Sequence, residues 1–261
     1  MSTAFVQHPV LRLGFLSTLH SAHPELLSVI TCALISFFPA SLKARDLYPL
    51  SREANILKKA AMARLFPVRK MIPDIVIDLK YASSDNITNR SLYPKDMPCL
   101  LHRMTLARLK RAQKTLRRQG LRLKIWDAYR PPEAHLILWK SSRASNYIVP
   151  PEMGPSLHSY GVAVDVTLVD REGRQLIMPT DHDEFSPAAA SEYTGNNSTI
   201  RRNLDILQKA MKKAGFSTIK DEWWHFTNME PQAARIIDAK RLGIQLPSSR
   251  IALESKPPSK P

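Results

Sequence analysis

Ser156-Leu157-His158-Ser159-Tyr160-Gly161-Val162-Ala163-Val164-Asp165 is the stretch around which the rest of the chain is organised. From Val162 to Leu168 the bulky apolar residues fall on every second position, the pattern of a strand with one packed face. The other face carries Gly161, Ala163, Asp165 and Thr167. Asp165 is costly to bury there unless it is paired, hydrogen-bonded or bound to a metal. His158 lies seven residues earlier, in a loop that can bend back over the strand. A neutral imidazole and a carboxylate converging in this way make two-thirds of a catalytic zinc site. Taken alone, the same residues also read as a core carboxylate and a surface histidine. A third ligand must come from elsewhere.

Downstream, Val169-Asp170-Arg171-Glu172-Gly173-Arg174 has the composition of a hairpin turn, with Gln175 to Met178 as the returning partner strand. The loop after it holds Asp181, His182, Asp183 and Glu184, a candidate specificity loop in which His182 competes for the place of third ligand. The Ser/Ala/Gly/Asn-rich stretch to Asn197 reads as a mobile segment or lid. Asn203 to Ala214 is amphipathic, with Leu204, Leu207, Met211 and Ala214 inward and Gly215 as its cap. A short strand, Phe216 to Ile219, leads into Asp221-Glu222-Trp223-Trp224-His225-Phe226, where a ligand appears. In a regular strand Glu222 and His225 point to opposite faces, so a turn or bulge is required to aim both at one metal. Trp223 and Trp224 are expected to wall the site. Residues 246–261 read as a disordered Ser/Pro/Lys tail.

Upstream, Leu121, Leu123 and Ile125 alternate into a strand that ends in Asp127-Ala128-Tyr129-Arg130-Pro131-Pro132. The prolines stop the strand and begin a helix through about Lys140. Arg130 is thereby fixed at a corner, where it can clamp a carboxylate, stabilise an oxyanion or form a structural pair with Asp127. Leu101 to Gln119 has a helical stripe, Leu101, Thr105, Leu109, Ala112 and Leu116, and other faces crowded with Arg and Lys. No aromatic residues interleave with those charges and no recognition motif accompanies them, so a solvated face is favoured over a nucleic-acid groove reader. Ile75, Ile77 and Leu79 alternate as a half-buried strand, followed by a turn-rich loop from Tyr81 to Asn89.

At 261 residues, with 44% hydrophobic and 23% charged residues, the chain is globular in composition. Its net charge of +15 is spread along most of its length. Leu26 to Ala40 is apolar apart from Ser and Thr, too short for a comfortable membrane span and suited to the core of a secretory signal. An uncleaved anchor and a buried helix are the other readings. Residues 1–44 are thus expected to be removed near Ala40 or Ala44, giving a periplasmic or secreted protein of net charge +14 with no stable membrane span. Cys99 is then its only cysteine, so the fold needs no internal disulfide. Residues 45–70 read as a peripheral helical arm with Ala54, Leu57, Ala61 and Leu65 on one face, and 71–245 as the main domain.

Asp127-Ala-Tyr-Arg-Pro131, Ser156-x-His158-x-x-Gly161-x-Ala163-x-Asp165 and Glu222-Trp-Trp-His225 occur in the order and spacing of the D-alanyl-D-alanine dipeptidases, and from about residue 73 to 230 the chain resembles that zinc family, which includes the vancomycin-resistance dipeptidases. Lys80-Tyr81-Ala82 with Asp85-Asn86, and Met178-Pro179-Thr180-Asp181-His182-Asp183, favour it over the related D,D-carboxypeptidases and L-alanyl-D-glutamate endopeptidases. Pro179 stands where a Gly is usual and His182 where a Phe is usual. The resemblance implies an α+β domain, a small mainly antiparallel sheet with helices packed on it. It also implies one Zn2+ per chain bound by His158, Asp165 and His225, Glu222 as general base and acid, and Arg130 on the oxyanion. Tyr81 and Asp183 are implied to hold the ammonium end of a small dipeptide, with Ser156 beside the substrate. The alternatives are a D,D-carboxypeptidase or peptidoglycan endopeptidase of the same chemistry, and a non-catalytic cell-wall or nucleic-acid binding module. An intact Glu222 argues against the last, because a binding module has no use for a base. Nucleic acid is not expected as a partner, and the oligomeric state is left open.

Overall fold

The computed structural model describes residues 44–141, 147–230 and 234–247. The apolar segment Leu26 to Ala40 and the tail beyond residue 247 lie outside them. The chain divides into two units between Tyr48 and Pro49, and the strands, the cores and the site belong to the second. Helix α1 (Ala44–Met62) leads into β1 (Leu65–Pro67) and α2 (Val68–Met71). β1 pairs antiparallel with β3 (Leu100–His102), immediately ahead of α3 (Arg103–Arg117). The face α1 buries is set by Ile56 and Ala60 rather than by Ala54 and Ala61, which are exposed.

The main sheet has five strands in the order β2 (Val76–Ile77), β4 (Arg122–Asp127), β5 (Ala163–Val169), β7 (His225–Thr227) and β6 (Ser217–Thr218). Only β2–β4 is parallel, so the sheet is small and mainly antiparallel, as the sequence implied. β5 is buried at all seven positions, which requires cover on both faces. Val164, Val166 and Leu168 pack with Leu106, Leu109 and Leu116 of α3 and with Leu204 and Leu207 of α5 (Ser198–Lys213) in one core. α5 starts five residues before Asn203, where the sequence pattern placed it, because the Asn197 side chain accepts from the backbone N–H groups of Thr199 and Ile200. A second core gathers Ile56, Leu65, Tyr81, Tyr93, Tyr129, Leu138 of α4 (Pro132–Ser141) and Leu242 of α6 (Ala239–Leu242). Leu246, read from sequence as the start of the tail, is buried there too.

Three local expectations are corrected. The Asp170 turn forms, with the Asp170 N–H donating to the Arg174 carbonyl, but Gln175 to Met178 does not become a strand. β4 runs along one edge of β5 from Asp165 to Val169 and β7 along the other from Ala163 to Asp165, and Gln175 adds a single bridge, to Val169. The stretch read as a lid is pinned: Ser191 N–H donates to the Lys220 carbonyl and the Ala189 carbonyl accepts from Trp223. The basic face of α3 is partly spent on packing, since Arg108 meets Glu230 at 2.7 Å, Arg111 donates to the Ala214 carbonyl and Arg117 pairs with Asp74.

Candidate active site

Two departures from regular strand geometry place the polar residues. Between Ile125 and Asp127 the β4–β5 register shifts by a bulge: Ile125 faces Val166, but Asp127 faces Asp165. Without the extra residue, Asp127 would follow Leu123 and Ile125 into the apolar core. The second is a turn at Glu222, closed by the His225 N–H on the Glu222 carbonyl at 3.4 Å, after which β7 begins with His225 directly opposite Asp165. The required irregularity is therefore a turn, and it brings a Glu222 carboxylate oxygen to 3.7 Å from His225 Nδ1.

His158 arrives from a 3-10 turn (Leu157–Tyr160) capped by the Ser156 hydroxyl, which accepts from the His158 N–H. Gly161 ends that turn with φ at 66°, and a Cβ there would stand 2.5 Å from a Leu65 methyl and 2.9 Å from the His102 backbone nitrogen. Only glycine suits both the left-handed backbone and the missing space.

The site's donor atoms then converge. His158 Nε2 lies 3.2 Å from His225 Nδ1 and 3.4 Å from Asp165 Oδ1, and His225 Nδ1 lies 3.0 Å from the same oxygen. His158 Nδ1 is 2.8 Å from the Ala128 carbonyl, which can only accept, so Nδ1 carries the hydrogen and Nε2 presents a lone pair. His225 Nε2 lies 2.9 Å from the Thr227 hydroxyl, which can accept its hydrogen, and in that tautomer Nδ1 is the lone-pair atom. Three electron-rich atoms facing one another repel unless a cation lies among them. Ligand atoms held about 2.0–2.1 Å from one tetrahedral zinc stand about 3.3 Å apart, which matches these separations and this donor set. Burial acts to raise the Asp165 carboxyl, but the imidazoles of His158, His182 and His225 outweigh it and hold it well below the usual carboxylate range. His182 is not in the triad; it sits against the other oxygen, Asp165 Oδ2, at 3.3 Å.

Arg130 is anchored as well as present. Its Nε and one terminal nitrogen each lie 2.8 Å from Asp127 Oδ2, while Tyr93 donates to Asp127 Oδ1 at 2.8 Å. The guanidinium carbon lies 5.0 Å from the Tyr81 ring centre. The structural pair with Asp127 forms, and it leaves Arg130 on the wall of a cavity. Tyr81 donates to Asp183 Oδ2 at 2.8 Å, and Asp183 adopts φ of 61° to reach it. Burial raises the Asp183 carboxyl despite the opposing pull of His182 and Arg130. Glu222, with a side chain 13% exposed, is pushed by burial up to about 7, against the pull of His225.

Tyr81, Arg130, Ser156, His158, Asp165, Asp183, Glu222 and His225 all line one cavity of about 150 Å³, with Leu138, Tyr147, Ile148, Leu157 and Phe185 supplying apolar wall. Pockets that take drug-sized ligands run to about 300–1,000 Å³, so this space suits a smaller molecule. Trp223 and Trp224 do not line it. They are buried in the core behind it, Trp223 donating to the Thr180 hydroxyl and Trp224 edging His182 and Phe185. The supports missed from sequence are Tyr93, the Ala128 carbonyl and Thr227. Only Thr227 left a trace there, two residues from His225 and so on the same face of a strand.

Three protein donors of mixed nitrogen and oxygen type, with an unligated carboxylate alongside, define a metallopeptidase class of site. Within that class the chain belongs to the D-Ala-D-Ala dipeptidase family, whose model it matches over residues 61–241. It is similar to the D-alanyl-D-alanine dipeptidase of Escherichia coli (strain K12), with 38% identity over 164 residues, 63% of this chain and 83% of the relative. The D-alanyl-D-alanine dipeptidases of Streptomyces coelicolor and Enterococcus faecium are 28% and 27% identical, covering 62% and 57% of this chain and 90% and 83% of theirs.

Proposed function

We propose that this enzyme hydrolyses D-alanyl-D-alanine, or a close D,D-dipeptide, with one zinc ion held by His158, Asp165 and His225. The observation that carries the reading is the closeness of two unlike ends in one small cavity: the donor triad with Glu222, and the Tyr81–Asp183 pair. When bound, zinc supplies Lewis-acid polarisation and a source of hydroxide near neutral pH. Glu222 takes the proton of the attacking water on a carboxylate oxygen and delivers it to the leaving nitrogen. Arg130, held by Asp127, offers its guanidinium N–H groups to the oxygen on which negative charge develops. Asp183, oriented by the Tyr81 hydroxyl, accepts the substrate's ammonium, whose charge offsets the burial that raises the Asp183 carboxyl. Ser156 stays beside the substrate while its hydroxyl caps the turn that carries His158. The apolar wall beyond these groups is expected to accept side chains somewhat larger than methyl.

The ammonium contact separates a dipeptidase from a carboxypeptidase, whose substrate is acylated at that nitrogen. A buried charged hydrogen bond left without its partner costs about 2–5 kcal/mol, so N-acetyl-D-Ala-D-Ala is expected to show a kcat/KM at least about thirtyfold below that of the free dipeptide. Asp183→Asn is expected to narrow that gap. Equal cleavage of the two substrates would transfer the site to the carboxypeptidase reading.

A further inference from the structure

His182 is a buried histidine to which the chemistry above gives no part, and its surroundings show what it does. Its side chain is 2% exposed. Its ring centre stands 5.3 Å from Trp126, 5.6 Å from Trp224 and 5.7 Å from Tyr81, an aromatic box around the imidazole. An imidazole in that box differs from a phenyl ring by two nitrogens, and both face carboxylates. Nε2 lies 3.3 Å from Asp165 Oδ2, the oxygen turned away from the two histidines of the triad. The nearest other cation to that oxygen among the described residues is Arg130, at 3.7 Å. Nδ1 lies 3.5 Å from Asp183 Oδ2, outside hydrogen-bonding geometry, and is buried with no other partner among the described residues.

We propose that His182 is a positioning residue of the metal site: it holds Asp165 by Oδ2 so that Oδ1 faces His158 and His225. The inference rests on the zinc reading and deepens it. A carboxylate hinged at its Cβ can rotate Oδ1 away from the imidazoles, and a donor on the other oxygen fixes the plane. Partners that orient metal ligands from behind are typically worth about 10–100-fold in metal affinity. The role belongs to the ring nitrogen, not to the ring's bulk, which makes the two separable by substitution.

The test compares zinc affinity, by competition with a chromophoric chelator, in the parent, His182→Phe, His182→Gln and His182→Leu, with the thermal midpoint of each metal-free chain as a check on folding. Phe keeps the ring and loses the donor; Gln reaches Asp165 with an amide N–H; Leu has neither. His182→Phe is expected to bind zinc about 10–100-fold more weakly at an unchanged metal-free midpoint, and His182→Gln to recover most of the loss. Should the phenyl ring not be accommodated, the difference between Gln and Leu decides the same point. Zinc affinity within twofold of the parent in folded Phe or Leu variants overturns the proposal. A parent that takes up no zinc overturns the metal reading itself, which distinguishes that failure from one confined to His182.

Discussion

Glu222→Gln is expected to keep its zinc and its fold while kcat falls about a hundred- to ten-thousandfold. Glutamine has nearly the shape of glutamate and can still hydrogen-bond, but it cannot take the proton of the attacking water. The turn closed by His225 on the Glu222 carbonyl sets the carboxylate 3.7 Å from His225 Nδ1, beside the donor triad and not within it. Metal analysis on the variant, alongside turnover of D-Ala-D-Ala, checks both halves of the statement. A variant that loses its zinc makes Glu222 a ligand and removes the base from the proposed mechanism.

His158→Ala and His225→Ala are the second large effect. Each removes one of three protein donors, so the loss of zinc affinity must exceed the about 10–100-fold typical of outer partners. After dialysis these variants are expected to hold a small fraction of the metal retained by the parent, and to be inactive in proportion. His158→Ala also abandons the bond from Nδ1 to the Ala128 carbonyl, so it is expected to lower stability more than His225→Ala, whose lost partner is a hydroxyl. Calorimetry on the metal-free chains separates that structural cost from the loss of metal. Full zinc content in either variant would move the metal elsewhere.

The donor residues were legible in the sequence because each sits where a short-range pattern speaks. Asp165 stands among small residues on an alternating strand, His158 lies in a loop that turn chemistry bends, and His225 follows Glu222 in a motif carried by the resemblance. What holds them was not legible, because it depends on pairing across the sheet. Asp127 reaches the site through a one-residue bulge, and alternation alone points it at the core. Tyr93, the Ala128 carbonyl and Thr227 act through distances between segments that no local spacing encodes. The same limit explains α1, where Ile56 and Ala60 are buried because of what packs against them. Trp223 and Trp224 were placed by adjacency to His225, yet a turn carries them behind the pocket.

The central claim, that His158, Asp165 and His225 hold a zinc ion for hydrolysis of a D,D-dipeptide, meets its most direct test in the release of free alanine. The zinc-loaded protein is incubated with D-Ala-D-Ala and with L-Ala-L-Ala, before chelation, after it, and after zinc is restored. The expected result is alanine from the D,D-dipeptide in large excess over the L,L-dipeptide, abolished by the chelator and recovered with zinc. Release that persists after the metal is stripped, or a fully zinc-loaded protein that leaves D-Ala-D-Ala intact, would contradict it.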